Sequence, residues 1–174
     1  IISIKGLLLI LLAGFMQVLG AQIKSPLWFF GDKAGIDFTH TPPKATSYGK
    51  TNATGGAATV ANEDGGLLFY SDGKNIYNKE HNIMKNGGGL LSQNGVAAQS
   101  PIIIQDPSDF NYFYVFYIGD AGTAGTAGQL RYSAVNMCAD SGRGEVLLSN
   151  RNIITTGLNE RLTCRPMGNG DSFW

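Results

Sequence analysis

Short apolar segments alternate with turn-forming residues along most of the chain, a pattern typical of a protein built from β-strands. After residue 56 the segments come in groups of three, and the turns between them are rich in Gly, Asn, Asp and Pro. The predicted strands are Ala57–Ala61, Leu67–Ser71 and Asn75–Asn78, then Pro101–Gln105, Tyr112–Ile118 and Leu130–Met137, and finally Glu160–Pro166 with another opening at Ser172–Trp174. The same three-stranded unit is therefore started three times.

The spacing of these units predicts an all-β fold of the β-propeller type, with WD40-like or kelch-like blades of antiparallel strands. Their second strands start at Leu67, Tyr112 and Ser172, close to the ~40 to 50 residues of a propeller blade once loop insertions are allowed for. The third unit is unfinished. We therefore expect an incomplete propeller over residues 22–174, truncated at the C-terminus.

Glycine-containing pairs and runs mark the predicted turns. Asp72-Gly73 and Asn169-Gly170 tolerate the positive φ angles of two-residue hairpins, so both pairs are predicted as hairpin turns. The triplet Gly87–Gly89 lacks the Lys-Ser/Thr ending of a phosphate-binding loop, and it too is predicted as a turn.

The region before the repeats is predicted to be less regular. Ser25–Phe38 is interpreted as one short strand and an irregular corner, because aromatic residues precede a Gly-Asp pair. His40–Gly56 contains two prolines among many Thr, Asn and Gly residues, so it is predicted to be a surface connection.

The segment Tyr112–Tyr117 is aromatic at nearly every position, so both faces of that strand are apolar. Such a strand is expected to lie between two layers, as the middle strand of a blade does. The alternative is an exposed aromatic strip on which a carbohydrate or a partner would stack.

Residues 1–21 have the three parts of a secretory signal peptide: the positive Lys5, the apolar run Leu7–Leu19 and the small residues Gly20 and Ala21. We expect a helical signal peptide that is cleaved near Ala21. A membrane anchor is the competing interpretation, but the run is shorter than the ~20 residues of a spanning helix. Because the chain begins with Ile and ends where a strand is predicted to start, we expect it to be part of a longer protein.

Composition and charge narrow the choice of partners. The 174 residues are 43% hydrophobic and include 24 Gly, which favours a folded protein rich in strands and tight turns. Thirteen basic and thirteen acidic residues cancel, and no basic cluster is present. Nucleic acid is therefore not expected as a partner, nor is a membrane for the mature form.

The segment around Asp72 invites two functional interpretations. A calcium loop would need more oxygen donors than Asp72 and Asn75 supply, and their spacing is wrong for one. The aspartate-box turn of sialidase-like propellers is matched in part, with Tyr77 in the aromatic place, and such a turn stabilises a corner without catalysing. The hairpin corner is the favoured interpretation.

Other candidates for catalysis are isolated. The adjacent carboxylates Glu63 and Asp64 would point apart on a tight turn, unlike the paired carboxylates of glycosidases. Neither His40 nor His81 has a neighbouring nucleophile, and Ser100 is not in a G-x-S-x-G elbow. We therefore predict no catalytic, cofactor-binding or metal-binding residues.

Cys138 and Cys164 are the only cysteines. In an exported chain they could form a disulfide, and two separate thiols are the equal alternative.

A resemblance to a known family rests on six segments: Trp28–Phe38, Gly65–Asn78, Asn86–Leu90, Gln99–Ile104, Leu130–Met137 and Glu160–Thr163. Taken in this order, they resemble the N-terminal propeller-like region of large secreted surface proteins of the Bacteroidota. Members of this family are described as gliding-motility-associated or C-terminal-sorting-domain proteins. The resemblance covers essentially the whole mature chain.

The resemblance implies export by the general secretory pathway and passage across the outer membrane by the type IX machinery, through a C-terminal signal outside this sequence. It also implies downstream immunoglobulin-like modules and a role in adhesion or binding at the cell surface. It supplies no catalytic residues.

Two functions follow as hypotheses. The first is a non-enzymatic binding or structural head of a large secreted surface protein, with an extracellular glycan or protein as ligand. The second is a propeller hydrolase acting on polysaccharide or glycoconjugate, whose active site would lie largely outside this sequence.

Overall fold

The computed structural model describes residues 26–52, 55–62, 64–91, 101–119, 128–158 and 162–164, and these residues form an all-β fold. The strands are β1 Leu27–Phe29, β2 Gly35–Asp37, β3 Lys44–Thr46, β4 Ala58–Ala61, β5 Leu67–Ser71, β6 Asn75–Asn78, β7 Ile83–Gly88, β8 Ile102–Gln105, β9 Tyr112–Gly119, β10 Gly128–Asn136 and β11 Glu145–Leu158. A short 3-10 turn at Asp140–Gly142 precedes β11. Within the described residues, no helix has the length and apolar character needed to cross a membrane.

Strands β1, β2 and β3 form a small antiparallel sheet in that order. Phe29 pairs with Gly35, and Gly35 pairs in turn with Thr46. A side chain at Gly35 would lie 2.8 Å from the Trp28 carbonyl oxygen and 3.1 Å from the Phe29 ring, so glycine lets β1 and β2 approach closely. Because side chains alternate across a sheet, Phe29 and Thr46 lie on one face and Trp28 lies on the other.

The other eight strands form one sheet in the order β4-β5-β6-β7-β11-β10-β9-β8. It consists of two antiparallel four-stranded meanders, β4–β7 and β8–β11. They meet in a single parallel bridge between Lys85 and Glu145, whose side chains also form an ion pair of 3.1 Å. The edge strands β4 and β8 contact each other as well, so the sheet is nearly closed.

The main hydrophobic core lies between the two meanders. Phe69 of β5 and Phe113 of β9 are almost completely buried, and their rings meet edge to face with centroids 5.4 Å apart. The buried members of this core are Phe69, Ile76, Met84, Leu90, Phe113, Val115, Tyr117, Val135, Met137 and Val146. Because both meanders contribute residues to it, this core forms only when the two meanders pack together.

Strand β9 shows a clear difference between its faces. Phe113, Val115 and Tyr117 are buried in the core, whereas Tyr114 and Phe116 on the opposite face are only half-buried. The expectation that both faces are covered is thus met on one face alone within the described residues.

Six predicted strands of the first two units are confirmed as β4, β5, β6, β8, β9 and β10. Each unit has a fourth strand, β7 or β11, that the hydrophobic pattern did not predict. The predicted turn at Gly87–Gly89 is wrong in part, because β7 extends to Gly88 and pairs there with Asn75.

The prediction for the N-terminal region also needs correction. Ser25–Phe38 contains two strands, β1 and β2, where one was predicted. The predicted surface connection His40–Gly56 contains β3, which is mostly exposed. Of the predicted strand Glu160–Pro166, only residues 162–164 are described, and they are not in a strand.

Several predictions lie outside the described residues. They concern the signal peptide over residues 1–21 with cleavage near Ala21, the hairpin turn at Asn169 and Gly170, and the strand that opens at Ser172–Trp174.

Candidate ligand-binding site

An open groove of about 480 Å³ lies along β3 at the edge of the small sheet. This volume is within the range of small-molecule sites in proteins. The residues that line the groove are Asp37, His40, Lys44, Ala45, Thr46, Ser47 and Tyr48. They combine a carboxylate, an ammonium group, an imidazole, the aliphatic hydroxyl groups of Thr46 and Ser47, and the phenol ring of Tyr48.

Asp37, the last residue of β2, is fixed by a tight local turn. Its Oδ1 accepts hydrogen bonds from the Thr39 backbone N–H (2.8 Å) and from the Thr39 hydroxyl (2.6 Å). The hydroxyl bond and then the backbone bond hold the pKa of Asp37 below its ordinary value, and His40 adds to this effect. The groove therefore presents an ionised carboxylate, whose Oδ2 lies 3.4 Å from His40 Nδ1.

Strand β3 places two further polar groups beside this carboxylate. Lys44 pairs directly with Asp37 across the sheet, and Thr46 lies two residues further along on the same face. The Thr46 hydroxyl is buried and has no hydrogen-bond partner among the described residues. A buried hydroxyl without a partner costs about 1 to 3 kcal/mol, so it marks a position that a ligand could satisfy.

Tyr48 supplies the aromatic wall, and its side chain is 46% exposed. Its ring contacts Phe29 edge to face at 5.7 Å and His81 at 5.2 Å between centroids. The ring is thus held in position before any ligand arrives.

The segment that carries Tyr48 is attached to the hairpin of the first meander. The Lys50 backbone N–H donates to the Tyr70 hydroxyl (3.2 Å), and the Asn52 N–H donates to Asp72 Oδ2 (3.2 Å). Between them, the fully buried Thr51 donates its hydroxyl to the Phe30 carbonyl. These three bonds fix the backbone that follows Tyr48.

Asp72 is the centre of that corner, with only 1% of its surface exposed. Its Oδ1 accepts from the backbone N–H groups of Lys74 (3.0 Å) and Asn75 (2.8 Å). Its Oδ2 accepts from the Tyr77 hydroxyl at 3.3 Å as well as from Asn52. Both carboxylate oxygens are engaged in holding loops together, which is a structural role.

The neighbouring residues complete the corner. Ser71 is buried; its hydroxyl donates to the Asn75 carbonyl (2.8 Å) and accepts from the Gly73 N–H (3.1 Å). Gly73 has a φ of 79°, a conformation that glycine adopts without a steric cost. Asp72 and Gly73 thus lie in the connection between β5 and β6.

A cluster of aromatic rings lies behind Tyr48. Tyr70 and Tyr77 stack with centroids 5.1 Å apart, and the Tyr70 hydroxyl is 3.0 Å from His81 Nδ1. Burial is the main reason why the pKa of Tyr70 is raised to about 12. These tyrosines therefore stay neutral over the ordinary pH range and form a wall that supports the groove.

The imidazole of His81, next to Tyr70, makes the stability of the folded chain depend on pH. Its pKa is lowered, mainly because burial disfavours the charged ring and secondarily because Lys50 is near. The unfolded chain therefore binds this proton at a higher pH than the folded chain does. We expect the free energy of unfolding to fall as the pH drops below about 6.5, and this contribution to level off below the folded pKa.

Denaturant unfolding at about pH 7.5 and about pH 5.5 measures this change. His81→Asn is a suitable variant, because Asn tolerates the positive φ of 63° at this position. The variant should lose most of the difference between the two pH values. An equal difference in the variant would assign the effect to other groups.

A second surface of interest lies on the other face of the small sheet. The rings of Trp28 and Phe38 are 5.1 Å apart, and both side chains are largely exposed, as is Phe30. This aromatic face is separate from the groove because Trp28 pairs with Ile36, whose side chain points away from the face of Asp37 and Thr46.

The structure does not bring together the other catalytic candidates that the sequence analysis considers. His40 lies in the groove, whereas His81 lies in the ring cluster behind it. Asp64 is exposed in the turn after β4, and Glu63 and Ser100 are outside the described residues. In the part of the chain that is described, no group of three or more His, Cys, Asp or Glu residues is arranged to hold a metal ion.

Both cysteines are free thiols in the structure, Cys138 exposed and Cys164 half-buried. Burial raises the pKa of the Cys164 thiol. The structure gives no support to a disulfide between them.

Most of the groove was not identified from the sequence. Of its lining residues, the sequence brings only His40 into question, and as an isolated histidine that belongs to no site. Asp37 and Lys44 become neighbours through the pairing of β2 with β3, and β3 is hidden in a Pro-rich and Thr-rich segment without an apolar pattern. The Asp-Phe-Thr sequence, typical of a local carboxylate turn, was the available signal.

No family model, no curated protein and no solved structure was found to match the chain. The class of this protein is therefore assigned from its structure. It is an all-β protein with an open groove that is lined by polar and aromatic residues.

Proposed function

We propose that the chain is a non-enzymatic binding module, the head of a large secreted protein of the cell surface. The observation that carries this proposal is the groove along β3, where Asp37, Lys44 and the exposed ring of Tyr48 surround about 480 Å³ of open space. Tyr48 is held by two ring contacts, so little conformational entropy is lost when a ligand packs against it.

We further propose that the two meanders are the first two blades of an incomplete β-propeller. Each is a four-stranded antiparallel unit, and the two pack face to face around one core. Equivalent strands are neighbours, since β4 contacts β8, and β7 runs parallel to β11. Successive blades of a propeller repeat one orientation in this way.

The outer face of the second meander supports the same architecture. Tyr114, Phe116 and Tyr132 contact one another there with ring centroids 6.0 to 6.3 Å apart, and all three are half-buried. A third blade would cover these rings as the first meander covers Phe113 and Val115. Repeat units commonly bury such faces against the next unit.

The surface location is proposed from the sequence. The signal-like residues 1–21 and the resemblance to secreted Bacteroidota surface proteins favour export and display through the type IX machinery. In this setting the ligand is an extracellular glycan or protein.

The binding function can be tested by immobilising panels of extracellular polysaccharides, oligosaccharides and matrix proteins and measuring retention of the chain. We expect at least one surface to retain the wild-type chain and to lose Tyr48→Ala. The control Phe110→Ala should bind normally, because Phe110 is 72% exposed and far from the groove in sequence. Retention that is insensitive to Tyr48→Ala, or retention by no surface, would contradict the proposal.

A further inference from the structure

The chemistry of the groove indicates what kind of molecule it accepts. Its polar groups are a carboxylate that only accepts hydrogen bonds, an ammonium group that only donates them, and hydroxyl groups and an imidazole ring that can do both. They are arranged beside one exposed aromatic ring. We propose that the groove binds a neutral carbohydrate, an inference that rests on the proposed binding function.

The charges favour a neutral ligand. Asp37 and Lys44 are direct partners across the β2–β3 pair, and their formal charges cancel. An anionic or cationic ligand would be attracted by one of them and repelled by the other. A sugar with neighbouring hydroxyl groups can donate to the carboxylate and accept from the ammonium group at the same time.

The apolar part of a sugar ring matches Tyr48. The C–H side of a pyranose is apolar and flat enough to pack on an aromatic ring, while its hydroxyl groups remain free for the polar wall. Tyr48 is 46% exposed and already fixed by Phe29 and His81. This places the stacking surface and the Asp37–Lys44 pair around the same open space.

Thr46 adds an independent observation. Its hydroxyl is buried without a hydrogen-bond partner among the described residues, although the residue lines the groove. A sugar hydroxyl at this place would remove the cost of the unsatisfied group.

An extended peptide is the competing occupant, because β3 is an edge strand to which another strand could add. The structure favours the sugar for a simple reason. β3 has only three residues and follows Pro42 and Pro43, which have no backbone N–H to donate. The edge therefore offers few of the main-chain bonds on which strand addition depends.

The test is a glycan array followed by isothermal titration calorimetry of the best neutral oligosaccharide, with the full chain. We expect binding to neutral glycans and a loss of affinity of about tenfold or more in Tyr48→Ala and in Asp37→Asn. Tyr48→Phe keeps the ring and should stay within about twofold of the wild type. Circular dichroism and thermal unfolding of each variant show that the fold is retained.

The outcomes separate this inference from the proposed function. If peptides or proteins alone bind, and Tyr48→Ala abolishes their binding, the carbohydrate inference is wrong and the binding function stands. If neutral glycans bind equally well to Tyr48→Ala and the wild type, the site is not this groove and the inference fails. If no glycan, peptide or protein binds in the groove, both proposals are wrong.

Discussion

Replacing Phe69 with alanine is expected to lower the free energy of unfolding by about 3 to 5 kcal/mol, the range for deleting a buried aromatic ring. Phe69 is 0% exposed and contacts Phe113 of the other meander edge to face. The cavity would therefore open between the two halves of the eight-stranded sheet. Chemical denaturation followed by circular dichroism measures the loss.

The same variant also tests whether the meanders unfold together. Because one core serves both, hydrogen exchange should become faster in β5 and in β9 by a similar factor. The matched control is Phe110→Ala, which removes an exposed ring and should change the stability by less than about 0.5 kcal/mol. Faster exchange in β4–β7 alone would mean that the second meander is stable without the first.

Replacing Asp72 with alanine is expected to cost about 2 to 4 kcal/mol, because hydrogen bonds to a charged group are worth about 1.5 to 3 kcal/mol and four donors lose their acceptor. Those donors are three backbone N–H groups and the Tyr77 hydroxyl. Asp72→Asn keeps one oxygen acceptor and should have an intermediate effect. Unfolding in urea measures all of these values.

Asp109 provides a matched control for Asp72. It also lies in a connection between two strands, β8 and β9, and accepts from a backbone N–H two residues later, at 2.9 Å from Asn111, but its bonds are at the surface. Asp109→Ala should cost less than about 1 kcal/mol, as is usual for local bonds of exposed side chains. If Asp72→Ala cost no more than this, Asp72 would not be the centre of the corner.

The sequence predicted those strands whose apolar residues follow one another without interruption. The segment YFYVFYI gives β9, and LLFYS gives β5, because β-branched and aromatic side chains suit a pleated, buried surface. Strand β7 was missed because IMKNGG buries only Met84 and Gly87 and exposes Ile83. Its position depends on pairing with β6 and on one bridge to β11, which no local pattern encodes.

The groove could not be predicted for a related reason. It depends on the pairing of Asp37 with Lys44, and on Tyr48 being fixed by Phe29 and His81, which are distant from it in the sequence. The sequence did single out Asp72, as a hairpin corner. What the structure adds is that Asp72 of this corner also accepts a hydrogen bond from the Asn52 backbone, in the segment that follows Tyr48.

The most direct test of the groove as the ligand site is a map of backbone amide chemical shifts during titration with the neutral oligosaccharide that binds best. We expect the shifts to concentrate in residues 37–48, with smaller changes at His81 behind Tyr48. Shifts confined to Trp28 and Phe30 on the exposed aromatic face, or to the outer face of β9 and β10, would contradict the assignment of the groove as the ligand site.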